Sequence, residues 1–387
     1  MLLLTPGPTP VPQSVLDAIA RPVAPHRTPE FEALYAKCQD GLQRLFRTSG
    51  PVLTLAASGS GAMESAIWSL ATEGKSIVVG ANGKFSERWE ASAGRFVDAF
   101  GGSVLGLGKE WGEPVTPDDL SEALDAADDI RLIVLTHCET STATISDIAA
   151  LAKRAKQRAP EAFIVVDGIT TVGAVEVEPD EWGLDAIVCA SQKSPGLPPG
   201  LGFVALSDRA ANRLLTRKDA SLPLYLDLSE YLAAHDKGTT PYTPAISLHY
   251  GLAESLHLID EDGGVTTRWE RSRRFARACR DAFTAMGLEL PSQSPSDSVT
   301  AVRMPEDLAD QVRAWCRQER GVVLAGGQGP WKARVFRMSH MGFVGAEETI
   351  TGVETIGAAL KELAPGRFNP DAGIDVIREK LIHEAAR

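Results

Sequence analysis

Ile164-Val165-Val166-Asp167-Gly168 and, one strand further on, Ala186-Ile187-Val188-Cys189-Ala190-Ser191-Gln192-Lys193-Ser194 decide how this chain is read. Each is a short apolar run that ends near a charged side chain. Runs of four or five Val, Ile and Ala residues bounded by turn residues read as buried strands. Asp167 therefore closes one strand, and Lys193 lies just past the end of the next. The following Pro195-Gly196-Leu197-Pro198-Pro199-Gly200-Leu201-Gly202 cannot continue a helix, because proline fixes φ and removes a donor. Phe203-Val204-Ala205-Leu206 then resumes a strand pattern. Most lysines are solvated surface charges, and many strand-end aspartates only cap the next helix. A lysine held between two buried strands and rigid turns is poorly placed for that bland role.

A lysine amine condenses with an aldehyde, and such a Schiff base is how pyridoxal phosphate is held on its enzymes. That cofactor also uses a carboxylate beside its ring nitrogen, which keeps the ring an electron sink. Lys193 and Asp167 supply these two groups, but as a pair they are weak evidence. The upstream pattern strengthens them. Strand 52–55 runs into Ser58-Gly59-Ser60-Gly61, which breaks it before a helix starts at Ala62. Strand, glycine loop and helix N-terminus form an anion site, since free amides and the helix dipole face a phosphate. A lone GSG turn is common, and this one lacks the Lys-Ser/Thr of a P-loop and the third glycine of a dinucleotide fingerprint. The alternation continues: strand 76–79, a loop at 80–83, a helix carrying Phe85 and Trp89, strand 104–105, helix 117–126, strand 132–135, the loop 136–142, helix 148–158 and strand 163–166. Repeated β-α-β units predict an α/β fold, a mostly parallel sheet covered by helices. Ligands of such sheets collect beyond the carboxyl ends of the strands. Ser60, Phe85, Ser141, Asp167 and Lys193 all follow strand ends, so they are expected to converge on one crevice.

Composition bounds the rest. The chain has 387 residues, 44% hydrophobic and 23% charged, with a net charge of −12. It is long enough for a large and a smaller domain, and its acidity disfavours nucleic acid or an anionic membrane surface as partner. The five cysteines are scattered and form no CxxC pair, which reads as reduced thiols in a cytoplasmic protein. The start lacks a basic region and meets Pro6 too early for a signal peptide, and no apolar run approaches a membrane span.

Thr5-Pro6-Gly7-Pro8-Thr9-Pro10 reads as an extended segment, with a disordered tail as its bland alternative. Helices are expected at 12–20 and 28–47, the latter capped by Thr28 with Pro29 in its first turn. Beyond Leu206 come segment 222–232, the proline-stiffened loop Thr239-Thr240-Pro241-Tyr242-Thr243-Pro244 and a helix at 246–259. The arginine-rich helix at 267–286 reads as one with a solvated basic face. Strand 299–302, helix 305–317, strands 322–324 and 334–338, and helix 346–363 predict a smaller α+β domain. The expected division is an N-terminal extended segment 1–14, a large domain 15–258 and a small C-terminal domain 259–387. Arg337 lies near the end of its strand, where a guanidinium fork can pair with a carboxylate through two hydrogen bonds. His26, His137 and His340 match no metal-ligand spacing, so no metal is expected.

Assembled in order, these motifs resemble the class V, fold-type I pyridoxal-phosphate aminotransferases, specifically the alanine–glyoxylate / serine–pyruvate group. The matching stretches run from Thr5-Pro6-Gly7-Pro8-Thr9 through Ser58-Gly59-Ser60-Gly61, Gly80-Ala81-Asn82-Gly83, His137-Cys138-Glu139-Thr140-Ser141-Thr142, Val166-Asp167, Ser191-Gln192-Lys193, Pro198-Pro199-Gly200, Thr240-Pro241-Tyr242-Thr243-Pro244 and Gly326-Gly327-Gln328-Gly329 to Arg337. The resemblance implies Lys193 as the Schiff-base lysine and Asp167 as partner of the pyridine nitrogen. It implies Ser60, Gly61 and Ala62 around the phosphate with Gln192 as a further donor, and Phe85 stacking on the ring where relatives often carry Trp. Thr243 and Thr240 would reach the phosphate of a neighbouring subunit, which implies a homodimer. Gly7 and Ser141 would lie near the substrate and Arg337 would bind its carboxylate. The implied reaction moves an amino group between a small amino acid of the alanine or serine type and glyoxylate or pyruvate. Two other readings stand beside it. A lyase such as a cysteine desulfurase shares the fold but places His before the lysine and over the ring, where this chain has Gln192 and Phe85. A non-catalytic subunit of a larger complex would have no need of both Lys193 and Asp167.

Overall fold

The computed structural model of the protein describes residues 1–217, 222–305 and 308–383. Its main sheet has seven strands in the order Val52–Leu55, Gly202–Leu206, Ala186–Ala190, Phe163–Asp167, Ile130–Thr136, Ser76–Ala81 and Ser103–Gly108. Neighbouring strands are parallel except around Gly202–Leu206, which runs antiparallel to both its neighbours. The reason is local. Ser191 N–H donates to the Leu201 carbonyl at 2.9 Å, and Ser191 Oγ donates to the Pro198 carbonyl at 2.8 Å. This proline-rich turn folds the chain straight back, and a strand joined by a tight return can only pair antiparallel. Lys193 sits inside that turn.

Helices cover both faces, as a parallel sheet requires. Alternate strand residues enter different cores: Ile164 and Val166 pack with Leu42, Phe46 and Leu252, whereas Val165 packs with Met63, Ile67, Trp89 and Phe96. A third core gathers Phe275, Phe283, Val302, Phe336, Met338 and Ile356 around an antiparallel sheet of Val299–Arg303, Val335–Ser339 and Ala325–Gly326. The α/β architecture with a smaller α+β part is as expected.

Three local readings change. The helix expected from Ala62 begins at Gly59, because Ser58 caps it and accepts from the Gly61 amide at 3.3 Å. The arginine-rich helix, Gly264–Ala285, is not simply solvated on its basic side: Arg268 is 1% exposed. Its guanidinium donates to the carbonyls of Ser194 and Gly342 and lies 4.4 Å from the Phe343 ring centre. The helix expected from Pro305 is Leu308–Arg320, residues 306 and 307 lying outside the described ones.

Residues 1–10 are tied down at both ends. Leu2–Leu3 pairs parallel with Val322–Val323, Leu4 is buried in the third core, and the Leu4 carbonyl accepts from Ser339 N–H at 2.8 Å. Thr9 then donates to the carbonyls of Gln192 and Lys193. The extended segment thus bridges the small sheet and the lysine turn, and the tail alternative falls. Among the described residues no helix is long and apolar enough to cross a membrane.

Candidate active site

Asp167 ends a strand whose five residues are all buried. Its Oδ1 accepts from the Ile169 amide and its Oδ2 from the Trp89 indole, each at 2.8 Å. Burial raises its pKa to about 6, although both hydrogen bonds favour the anion. Lys193 Nζ donates to the Pro6 carbonyl at 2.5 Å. Burial of that amine lowers its pKa to about 8; nearby Arg337 lowers it further and Asp167 opposes the shift. Near neutral pH a useful fraction of this amine is neutral and nucleophilic. Gly7 has φ +126°, a conformation that favours glycine, and a side chain there would strike the Lys193 amine.

Two helices start beside this pair. Gly59–Leu70 follows the first strand, and its amide at Ala62 is already committed to the Ser58 carbonyl at 3.1 Å. The anion-binding amides therefore shift toward Gly59 and Ser60, with Gly61 held by the Ser58 cap. Ser60 Oγ accepts from Arg88 at 2.8 Å. The other helix, Lys84–Phe100, places half-buried Phe85 in its first turn and Trp89 one turn later. Its terminus is filled by Glu139, fully buried, whose Oε2 accepts from the Phe85 amide and from Ser86 N–H and Oγ. Glu139 Oε1 takes the Ser141 amide at 3.0 Å and the Ser141 hydroxyl at 2.7 Å.

Arg337 enters from the small sheet, 5% exposed. Its Nε and Nη2 donate to the Gly326 carbonyl, and Nη1 donates to the Thr140 carbonyl at 2.7 Å. Burial pulls its pKa down to about 10, so it stays a cation. Each terminal nitrogen carries two hydrogens, which leaves one on each to form a fork.

The structure thus gathers Asp167, Lys193, Gly7, Ser141 and Arg337, with Phe85 and Ser60 at the mouths of the two helices. Gln192 joins them through its neighbour; its side-chain oxygen is buried without a hydrogen-bond partner among the described residues. Among the described residues, Thr240 and Thr243 form no hydrogen bond with these groups. Thr240 bonds the Tyr242 carbonyl, Thr243 is exposed, and both line a small recess with Ala56, Tyr225 and Tyr231. Sequence reasoning missed Glu139, Trp89 and the Pro6 carbonyl. Trp89, four residues after Phe85, shares its helix face; Glu139 stands in a loop motif whose local pattern carries no sign of the helix terminus it fills.

The model for the class-V aminotransferases matches residues 1–340. The chain belongs to this family. It is 38% identical over 378 residues to the "soluble hydrogenase, small subunit" of Synechococcus sp. (strain PCC 6716), covering 96% of each chain. It is 31% identical over 369 residues to the L-aspartate–glyoxylate aminotransferase of Paracoccus denitrificans, covering 93% and 91%. Among solved structures, the pyridoxamine–pyruvate aminotransferase of Mesorhizobium loti superposes with a TM-score of 0.90 at 26% identity, covering 100% and 98%. The resemblance drawn from the motifs holds, and the chain is a pyridoxal-phosphate-dependent aminotransferase.

The residues fit that cofactor. An amine of lowered proton affinity, a carboxylate at the end of the adjoining strand and an open helix N-terminus are the groups its aldehyde, ring nitrogen and phosphate need.

Proposed function

We propose that this protein transfers an amino group between a small amino acid, of the alanine or serine type, and glyoxylate or pyruvate. The observation that carries the reading is the convergence of half-buried Lys193 with buried Asp167 and Arg337, whose charges both act on the lysine amine. Bound there, pyridoxal phosphate would supply the aldehyde that takes up the amino group and the electron sink for the α-carbon. Lys193 would hold it, and Asp167 would face the ring nitrogen. Ser60 and Gln192 would take the phosphate, with Gly61 and Ala62 adding helix dipole but no free amide, and Phe85 would stack on the ring. Lys193 would also move the substrate α-proton, a task suited to a base whose pKa is lowered to about 8. Arg337 presents its fork to the substrate carboxylate and orients the α-carbon, while Ser141 and Gly7 line the approach.

Thr240 and Thr243 belong in this reading to the phosphate site of a second copy, which makes the protein a homodimer. The proposed location is the cytoplasm, on the strength of five buried, reduced cysteines. The name of the Synechococcus relative favours a second reading, a subunit that kept only the fold; the retained Lys193 and Asp167 speak for chemistry. A desulfurase-type lyase is opposed by Gln192 and Phe85.

Purified protein should be yellow, and borohydride should bleach it and fix the label on Lys193. Lys193→Ala should be colourless and inactive. A screen of amino donors against glyoxylate and pyruvate names the pair. Label on a different lysine, or no turnover with any donor, would defeat the reading.

A further inference from the structure

Trp89 lies in the second turn of the helix Lys84–Phe100 and is 1% exposed. Its ring packs with Ala93 and Phe96 in the core beneath the main sheet. Its indole N–H, however, turns toward the carboxyl end of the central strand and donates to Asp167 Oδ2 at 2.8 Å. The second carboxylate oxygen is taken by the Ile169 amide at the same distance. A carboxylate held by one donor can rotate about its χ2 torsion; held by two donors on different oxygens, its plane is fixed. Each oxygen keeps a further lone pair, so an incoming N–H can still be accepted. An indole is a donor only and does not titrate, so this bond survives across the working pH range.

We propose that Trp89 is a positioning residue for Asp167, fixing the carboxylate plane and holding it as an anion toward the cofactor's ring nitrogen. The proposal rests on the assignment of Asp167 to that nitrogen. The groups facing Asp167 from its surroundings are Lys193, which favours the anion, Glu139, which opposes it, and the neutral thiol of Cys189. The hydrogen bond from Trp89 therefore works in the direction of Lys193 and against burial. The bland account is that a buried tryptophan satisfies its N–H on the nearest acceptor and serves only as filling. The two accounts part when the donor is removed and the ring kept.

The test is Trp89→Phe, with cofactor stripped and rebound. Affinity is measured from absorbance and protein fluorescence for two probes: pyridoxal phosphate and its 1-deaza analogue, in which carbon replaces the ring nitrogen. The expected result is a loss of roughly tenfold or more in affinity for pyridoxal phosphate with the analogue unchanged, because only the first probe engages Asp167. With amino acid substrate, kcat should fall and KM stay. In an Asp167→Asn background, Trp89→Phe should add nothing to the difference between the probes. Equal weakening of both probes, or of neither, overturns the proposal. If Asp167→Asn alone fails to separate the probes, the assignment of Asp167 itself is wrong, a distinct outcome. Should circular dichroism show Trp89→Phe unfolded, Trp89→Met, a flexible filler without a donor, carries the same comparison.

Discussion

Two helices of this protein begin in the same way, just past the carboxyl ends of strands on opposite sides of the sheet, and end up with opposite electrostatics. At Lys84 the terminus is closed: Glu139 saturates it, and the same carboxylate reaches across to Ser141. At Gly59 the terminus is capped only by the Ser58 hydroxyl, with a second serine, Ser60, beside the leading amides. Helix termini draw negative charge wherever it comes from. One terminus takes its anion from the chain and becomes rigid scaffold, carrying Phe85 and Trp89. The other leaves that demand to a ligand. The Glu139 loop also lends its Thr140 carbonyl to Arg337, so under the proposed function the closed terminus would organise the substrate side and the open one the cofactor side.

The largest effect should come from opening the closed terminus. Glu139→Ala strips five donors of their acceptor in a dry interior. The expected cost is about 3–5 kcal/mol of folding stability, read from urea unfolding, with Glu139→Gln in between. A variant within about 0.5 kcal/mol of wild type would mean that the terminus is not held by this carboxylate.

Arg337 tests the division of labour. Removing one partner of a buried charge pair costs about 2–5 kcal/mol, so Arg337→Ala should lower kcat/KM for amino acid and oxo acid alike by about 30-fold to several thousandfold. Affinity for the cofactor should not change. Arg337→Lys should recover only part, because an ammonium lacks the fork. Unchanged kinetics for both half-reactions would place the carboxylate elsewhere.

How much of this was legible follows from period and range. The βαβ alternation, helix 148–158 and the strand ends at Asp167 and Lys193 are local patterns, and they appeared where the residues put them. The start of the helix at Gly59 was misplaced, because Gly-Ser-Gly looks like a loop until Ser58 is seen to cap it. Arg268 was misjudged for a different reason. Helical charge patterning says nothing of a carbonyl at Gly342, 74 residues away, that draws one guanidinium inward. Glu139 and Trp89 were missed likewise, since their partners come from other elements. The site's donors and acceptors are long-range pairs, which a sequence lists without joining.

The cofactor side should carry its imbalance in the folded apoprotein. The Lys193 amine has a pKa of about 8 against an ordinary 10.5. Between those values the unfolded chain binds the proton and the folded one does not, so wild-type stability rises with pH through that window. Below pH 8 the cost of burying the charge is fully present, at most about 3 kcal/mol. Lys193→Met removes it but orphans the Pro6 carbonyl, which offsets about 1 kcal/mol. The variant should therefore be more stable than wild type at pH 7, with the gap closing as pH rises toward 10.5. A gap that does not depend on pH would show that the amine is not desolvated.

The smallest effect separates the two serines at the open terminus. Ser58 Oγ accepts from the Gly61 amide, a helix cap worth about 1 kcal/mol to folding. Among the described residues, Ser60 Oγ accepts from Arg88 across the surface of the site, and its own hydrogen remains to be given to an anion. Ser60→Ala should therefore leave unfolding within about 0.5 kcal/mol of wild type while weakening pyridoxal phosphate binding by about tenfold, one hydrogen bond to a charged group. Affinity for pyridoxal, which has no phosphate, should be the same in both proteins. Ser58→Ala should show the reverse weighting, losing stability first. If Ser60→Ala weakens pyridoxal as much as the phosphorylated cofactor, the hydroxyl is not facing an anion, and the open terminus is as structural as the closed one.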